Sequence, residues 1–178
     1  MFEFSPTSID GCFEIRPRVL TDHRGTFSKL FHSEAFIDKG LVHKFSDVDY
    51  IASPRNTLRG LHFHPYHEEY ALLVSCASGS VLHVVVDLRR DSKTRGKVYS
   101  VTLESSKGNT LYIPAGVAHG FLSQADDTTL LTLSSHRPGA RNGIHWQSIN
   151  FDWPVENPVV SEDDQSLMTL AEFESRFR

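Results

Sequence analysis

Short runs that alternate apolar and polar residues dominate this chain from Phe13 to Trp153. Glu14-Ile15-Arg16 alternates. Asp22-His23-Arg24-Gly25 then reads as a turn before Thr26-Phe27-Ser28-Lys29-Leu30-Phe31, which alternates again. Further strands are predicted at Phe45 to Ile51, Tyr70 to Ser75, Ser80 to Asp87, Gly96 to Leu103, Thr110 to Ile113, Gly120 to Ser123 and Thr128 to Ser134, with turn residues between them. Helical spacing is confined to two places. Ser33 to Lys39 has a serine cap and a glycine stop at Gly40, and Leu167 to Arg178 carries Leu167, Leu170 and Phe173 on one face behind acidic residues. Many short strands at this spacing predict an antiparallel sandwich or barrel. One all-β domain over residues 1–178 with short flanking helices is expected.

Length and composition narrow the class. A chain of 178 residues can bury one sizeable core, and 39% hydrophobic with 22% charged residues fits neither disorder nor a membrane protein. The longest apolar runs, such as Val81 to Val86, are interrupted by His83 and are far too short to span a bilayer. The start, MFEFSPTSIDG, has no basic segment followed by an apolar one, so no secretory signal is expected. Cys12 and Cys76 sit in apolar contexts and make no disulfide framework, which points to a reducing cytoplasm. A formal net charge of −4 argues against sequence-independent nucleic-acid binding, although local basic clusters can still serve a small anionic ligand.

Two segments carry the candidate chemistry: Leu58-Arg59-Gly60-Leu61-His62-Phe63-His64, and the run from Gly108 to Ser123, GNTLYIPAGVAHGFLS. In the second, a glycine and a proline turn the chain at both ends of one strand, and Gly116 permits another tight turn just before His119. This spacing resembles the second signature motif of the cupin barrels, in which that histidine points into the barrel.

Over nearly its whole length the chain also resembles the nucleotide-sugar epimerases typified by dTDP-4-dehydrorhamnose 3,5-epimerase. The likeness runs through Asp22 to Phe27 (DHRGTF), Leu58 to Phe63 (LRGLHF), Val84 to Arg89 (VVVDLR), Ile113 to Phe121 (IPAGVAHGF), Gly143 to Trp146 (GIHW) and Val160 to Asp164 (VSEDD), in the family's order. The resemblance implies a cupin-type jelly-roll barrel, assembled as a homodimer. It also implies action on a nucleoside-diphosphate 4-keto-6-deoxy sugar with neither metal nor organic cofactor, and a place in deoxysugar or surface polysaccharide synthesis.

That chemistry needs a base, an oxyanion holder and an acid. A ketone at C4 acidifies the protons on C3 and C5, because the carbanion delocalises into an enolate. His62 is the candidate base, since an imidazole titrates near neutrality. The resemblance pairs it with the carboxylate of Asp164, with neighbouring Asp163 as the alternative. Arg59 would set a fixed charge near the diphosphate or the ketone oxygen, and His119 could donate to the same oxyanion. Arg24 would reach the diphosphate, from the turn before a strand that the family exchanges or pairs between subunits. Phe27 would stack on the base.

Several positions depart from the family. Leu72 stands where the epimerases carry a lysine near the sugar ketone, and Leu133-Ser134-Ser135-His136 replaces a segment with a tyrosine acid. His64 replaces a glutamine, Asp47-Val48-Asp49 replaces a QDN segment that touches the nucleotide, and Lys29 replaces a glutamate. Proton return would then fall to His136, Tyr70 or water, and inversion could be limited to one centre. Two other readings stand beside the epimerase. A metal-dependent cupin could use His62, His64 and His67 in H-x-H-x-x-H spacing with His119, and a non-catalytic homologue could bind sugar nucleotides without turnover. His32, His43, His83 and His145 have no distinctive spacing, and His83 reads as a plain strand residue.

Overall fold

The computed structural model describes residues 2–64, 70–136 and 142–176. Among them the alternating runs become β1 (Phe2–Pro6), β2 (Phe13–Pro17), β3 (Val19–Asp22), β4 (Gly25–Ser28), β5 (Asp47–Ser53), β6 (Leu58–Phe63) and β7 (Ala71–Ser78). They continue as β8 (Ser80–Asp87), β9 (Val98–Glu104), β10 (Thr110–Pro114), β11 (Val117–Ser123), β12 (Thr128–Ser134) and β13 (Asn142–Gly143). The helices are short: α1 (Ser33–Ile37), α2 (Glu162–Gln165) and α3 (Leu170–Arg176).

Six strands in the order β1-β2-β10-β7-β12-β5 form one sheet, and five in the order β13-β6-β11-β8-β9 form the other. The strands β3 and β4 make a separate hairpin. Antiparallel pairing within both packed sheets gives the barrel that the strand spacing predicts, in the jelly-roll form that the family resemblance implies. The core lies between the sheets, where Leu72, Val74 and Cys76 of β7 meet Val81 and Val85 of β8 and Phe121 of β11. Both faces of the central strands are covered. Val84 and Val86 pack outward with Leu61 and Phe173, and Leu73 packs under Phe36 of α1 and Tyr112. Strands buried on both sides read as continuous apolar runs, hence LLV in β7 and VVV in β8.

The strand boundaries differ from expectation where packing or pairing ends a run. Thr26 to Phe31 stops pairing at Ser28, because its partner strand β3 is only four residues long. Leu30 and Phe31 lead instead into α1, whose cap position is His32 without a side-chain cap bond, so Ser33 is inside the helix rather than its cap. The predicted C-terminal helix begins only at Leu170, and the acidic residues before it form α2 as a separate turn. His119 lies within β11 rather than ahead of the strand, and β1 escaped the sequence reading altogether.

One close approach fixes the geometry of the five-stranded sheet. The register of β6 on β11 pairs His62 with His119 and Arg59 with Phe121, with an irregularity between. There Gly60 and Gly120 touch: a methyl group on Gly60 would lie 2.7 Å from Gly120 Cα, and one on Gly120 would lie 2.6 Å from the Arg59 carbonyl. Gly60 also has φ of +119°, a backbone region closed to side chains. Gly120→Ala is therefore expected to lower stability by roughly 1–3 kcal/mol through overpacking. Urea denaturation checks this, and an unchanged midpoint would show that the two strands can part freely.

Candidate active site

The inner wall of the five-stranded sheet is apolar except where imidazoles and Arg59 interrupt it. On β8, Val81, His83 and Val85 share the inward face, and on β11 Val117, His119 and Phe121 do. With His62 of β6 and His64 just after it, four histidines line one cavity of about 320 Å³ between the sheets. The opposite wall comes from Asp49 and Ile51 of β5, Tyr70 and Leu72 at the start of β7, and Thr132 and Ser134 of β12. Arg59 is the one lysine or arginine in the lining among the described residues. Its Nε donates to Ser53 Oγ at 3.1 Å, which ties the side chain to the end of β5.

The strongest polar contact in the cavity joins His62 to Asp164. Residues 159 and 160 run alongside β6: Leu58 N–H donates to the Val159 carbonyl, and Val159 N–H donates to the Asn56 carbonyl. This places Ser161 at the start of α2, where its hydroxyl accepts the Asp164 N–H. The Asp164 side chain is thereby turned inward and is only 6% exposed. One carboxylate oxygen lies 2.6 Å from His62 Nε2, and the other accepts the Gly60 N–H at 3.0 Å. A carboxylate only accepts, so Nε2 carries a hydrogen here and Nδ1 is the ring nitrogen not engaged by Asp164. Asp163, the other carboxylate considered, is exposed at the rim.

Burial sets the charge of the remaining groups. Desolvation pushes His83 down to about 3. His119 is driven well below the ordinary histidine value, first by burial and then by the neighbouring His83, His62 and His64. His64 moves the same way, by burial and then by His62, and its ring packs 4.3 Å from that of Tyr70. The Tyr70 hydroxyl is held protonated, because burial and then the Asp49 carboxylate both raise it. The cavity thus offers one fixed cation, one carboxylate-backed imidazole, uncharged imidazoles and a phenol.

The cavity gathers His62, Asp164, Arg59, His119, His64, Asp49 and Leu72 from the sequence reading, and leaves four other residues outside. His136 is exposed and lines a separate groove with Gly40 to Lys44, because β12 ends at Ser134 before the alternation that turns Thr132 and Ser134 inward reaches residue 136. Arg24, Phe27 and Lys29 sit on the β3–β4 hairpin, away from this chain's own cavity. Phe27 is 63% exposed there, and Arg24 bonds its neighbour Asp22 at 2.6 Å. His67, the third member of the proposed metal spacing, lies outside the described residues. Among the described residues, no group of three or more His, Cys, Asp or Glu side chains is arranged to hold a metal ion. Sequence reasoning missed His83, whose only signal was a polar residue at an inward position of an apolar strand.

Residues 6–172 match the family model of dTDP-4-dehydrorhamnose 3,5-epimerase. The chain belongs to this family. It is 35% identical over 178 residues to the dTDP-4-dehydrorhamnose 3,5-epimerase of Methanothermobacter thermautotrophicus, covering 96% of each chain. It is 34% identical to the dTDP-4-dehydrorhamnose 3-epimerase of Streptomyces niveus, covering 94% of this chain and 83% of that one. The crystal structure of the Legionella pneumophila dTDP-6-deoxy-D-glucose-3,5-epimerase in complex with dTDP-4-keto-L-rhamnose superposes with a TM-score of 0.91 at 26% identity, covering 99% and 96%. The chain is thus an isomerase with the jelly-roll barrel of the nucleotide-sugar epimerases, working in deoxysugar biosynthesis.

The buried imidazoles make stability depend on pH. His83 stays unprotonated in the fold down to about 3, whereas in the unfolded chain it takes up a proton near 6.5. Unfolding therefore binds a proton anywhere between those values, and stability falls as pH is lowered through that window. The loss from His83 alone is expected to reach roughly 2 kcal/mol between pH 7.5 and pH 5. Urea titrations at the two pH values should show a shallower loss in His83→Phe, and an identical loss in both proteins would contradict the assignment.

Proposed function

We propose that the chain inverts a stereocentre beside the C4 ketone of a thymidine-diphosphate 4-keto-6-deoxy sugar, with His62 as the base. The observation that carries this is the 2.6 Å contact from Asp164 to His62 Nε2 in a cavity wall, which leaves the Nδ1 lone pair for chemistry. The proton on C3 or C5 passes to Nδ1, and the electron pair of the C–H bond delocalises onto the ketone oxygen. Arg59 and a donated His119 N–H balance the charge that develops there. Because that charge exists only after proton removal, such donors favour the transition state over the bound ketone.

Proton return needs a donor on the other face. His136 lies outside the cavity, whereas Tyr70 directly precedes β7 of the six-stranded sheet and lines the same cavity as His62 of the five-stranded one. A phenol kept protonated remains a far stronger acid than the α-carbon, so Tyr70 O–H can deliver its proton to the enolate and recover one from solvent. Leu72 and Ser134 supply neither a cation nor a phenol, so Tyr70 is the donor proposed for proton return at C3 or C5.

The molecule acts as a homodimer in the cytoplasm. Two exposed apolar features support the pairing. The edge strand β5 carries Val48 and Tyr50 at 66% and 70% exposure, and the hairpin presents Leu20 and Phe27. An open apolar edge favours addition of another strand. A partner's hairpin reaching over the cavity would bring its Arg24 to the diphosphate and its Phe27 and Lys29 to the nucleotide, while Asp49 and His64 stay on the cavity's own side.

Incubation with dTDP-4-keto-6-deoxyglucose in deuterium oxide tests the chemistry. The native protein should exchange the C3 or C5 proton, and His62→Asn should slow that exchange by roughly 10²–10⁴-fold. Tyr70→Phe should retain exchange while losing net inversion, since abstraction and return use different groups. Native exchange rates in His62→Asn would remove His62 from the mechanism. For the assembly, sedimentation should give twice the 20.1 kDa chain mass, and Val48→Lys should shift it toward the monomer. A native protein that sediments as a single chain would contradict the pairing.

A further inference from the structure

The proposed proton transfers do not use His83. Its side chain is 1% exposed and it lines the cavity on the five-stranded side. Its ring lies nearly parallel to that of His119, at 7° and 6.0 Å between centroids, and it packs at 6.3 Å from Phe121. Among the described residues neither Nδ1 nor Nε2 has a hydrogen-bond partner. On the facing sheet the buried Ser134 hydroxyl, which also lines the cavity, is likewise unpartnered among the described residues.

Buried polar atoms without partners are costly, and a folded chain retains few of them unless something else satisfies them. A leucine or valine at position 83 would continue the inward face of Val81 and Val85 with no such cost. The group able to satisfy the His83 nitrogens is one that enters the cavity. The ionisable neighbours that line the same space are His119, His62, His64, Tyr70, Asp49, Arg59, Asp163 and Asp164. Of these, Arg59 is held toward Ser53, and the His62 and Asp164 side chains bond each other.

We propose that His83 is a specificity-determining residue, which with His119 forms a paired-imidazole wall that accepts an uncharged hydroxyl or carbonyl of the sugar ring. An imidazole of this kind presents one donor and one acceptor, which matches a hydroxyl in both roles. Burial keeps both rings without charge, so the wall offers nothing to offset a carboxylate or phosphate placed against it. The nucleotide half of the ligand lies beyond this wall. The inference rests on the nucleotide-sugar reading and adds the determinant that reads the sugar.

Titration calorimetry with dTDP and with dTDP-quinovose, an unreactive 6-deoxy sugar nucleotide, tests it. Against the native protein, His83→Phe should bind dTDP equally well and dTDP-quinovose roughly tenfold more weakly. His83→Gln, which keeps a donor and an acceptor, should recover most of the loss. In the native protein labelled with ¹⁵N-histidine, the His83 ring nitrogens should show the shifts of an uncharged tautomer, and these should move on adding dTDP-quinovose but not dTDP. Equal affinities in native and His83→Phe proteins, or ring shifts unmoved by the sugar, would overturn the role of His83 while leaving the nucleotide-sugar reading intact. Failure of the native protein to bind either compound would overturn both.

Discussion

A single hydrogen bond between residues 102 positions apart, from His62 Nε2 to Asp164, organises the functional half of this molecule. It requires β6 to pass close enough to β11 that neither Gly60 nor Gly120 can carry a side chain. It also requires residues 159 and 160 to run beside β6, so that a four-residue helix capped by Ser161 delivers its third residue inward. The same carboxylate accepts the Gly60 N–H, so it braces the strand as well as the imidazole. Removing His62 would leave the buried Asp164 carboxylate with less to satisfy it, a costly outcome. The bond therefore serves fold and chemistry together, by fixing which ring nitrogen holds the proton.

The remainder of the cavity is tuned by what it lacks. Burial among the side chains of β7, β8 and β11 drives His83 and His119 toward their uncharged forms and keeps the Tyr70 hydroxyl protonated. In such surroundings a fixed charge acts strongly, because little solvent screens it. Arg59 supplies that charge at one end. A reaction that moves a proton and develops an oxyanion suits this distribution, because the groups change protonation state one at a time and the sugar ring need not be charged. The cost appears elsewhere, as a fold that loses stability when acid protonates the unfolded histidines.

Much of this was legible in the residues. The alternating runs place β8 and β12 with their observed bounds, and the glycine, proline and glycine spacing positions β10 and the turn before β11, where Gly116 takes a positive φ. Family motifs pointed to His62, His119 and Asp164 as neighbours. What escaped the sequence depended on which face a side chain takes. Val81-x-His83-x-Val85 reads as a strand, but only the sheet packing shows that position 83 faces the cavity. Asp164 lies in an acidic run that looks solvated, and its burial follows from a bridge between residues 57 and 159 that no local pattern encodes. His136 is a candidate because its segment replaces the family's tyrosine segment, yet β12 ends at Ser134 and leaves residue 136 outside the cavity. The hairpin carrying Phe27 alternates like any strand, and its exposure reflects the absence of a covering element in this chain rather than its own composition.

The most direct measurement is a crystal structure with dTDP-quinovose in the cavity, read for the distance from His62 Nδ1 to the ring carbons. The account expects C3 or C5 to lie within about 3.5 Å of Nδ1, with Nε2 still on Asp164. A sugar bound with both carbons out of reach of that nitrogen, or His62 turned away from Asp164 to ligate an ion, would contradict it.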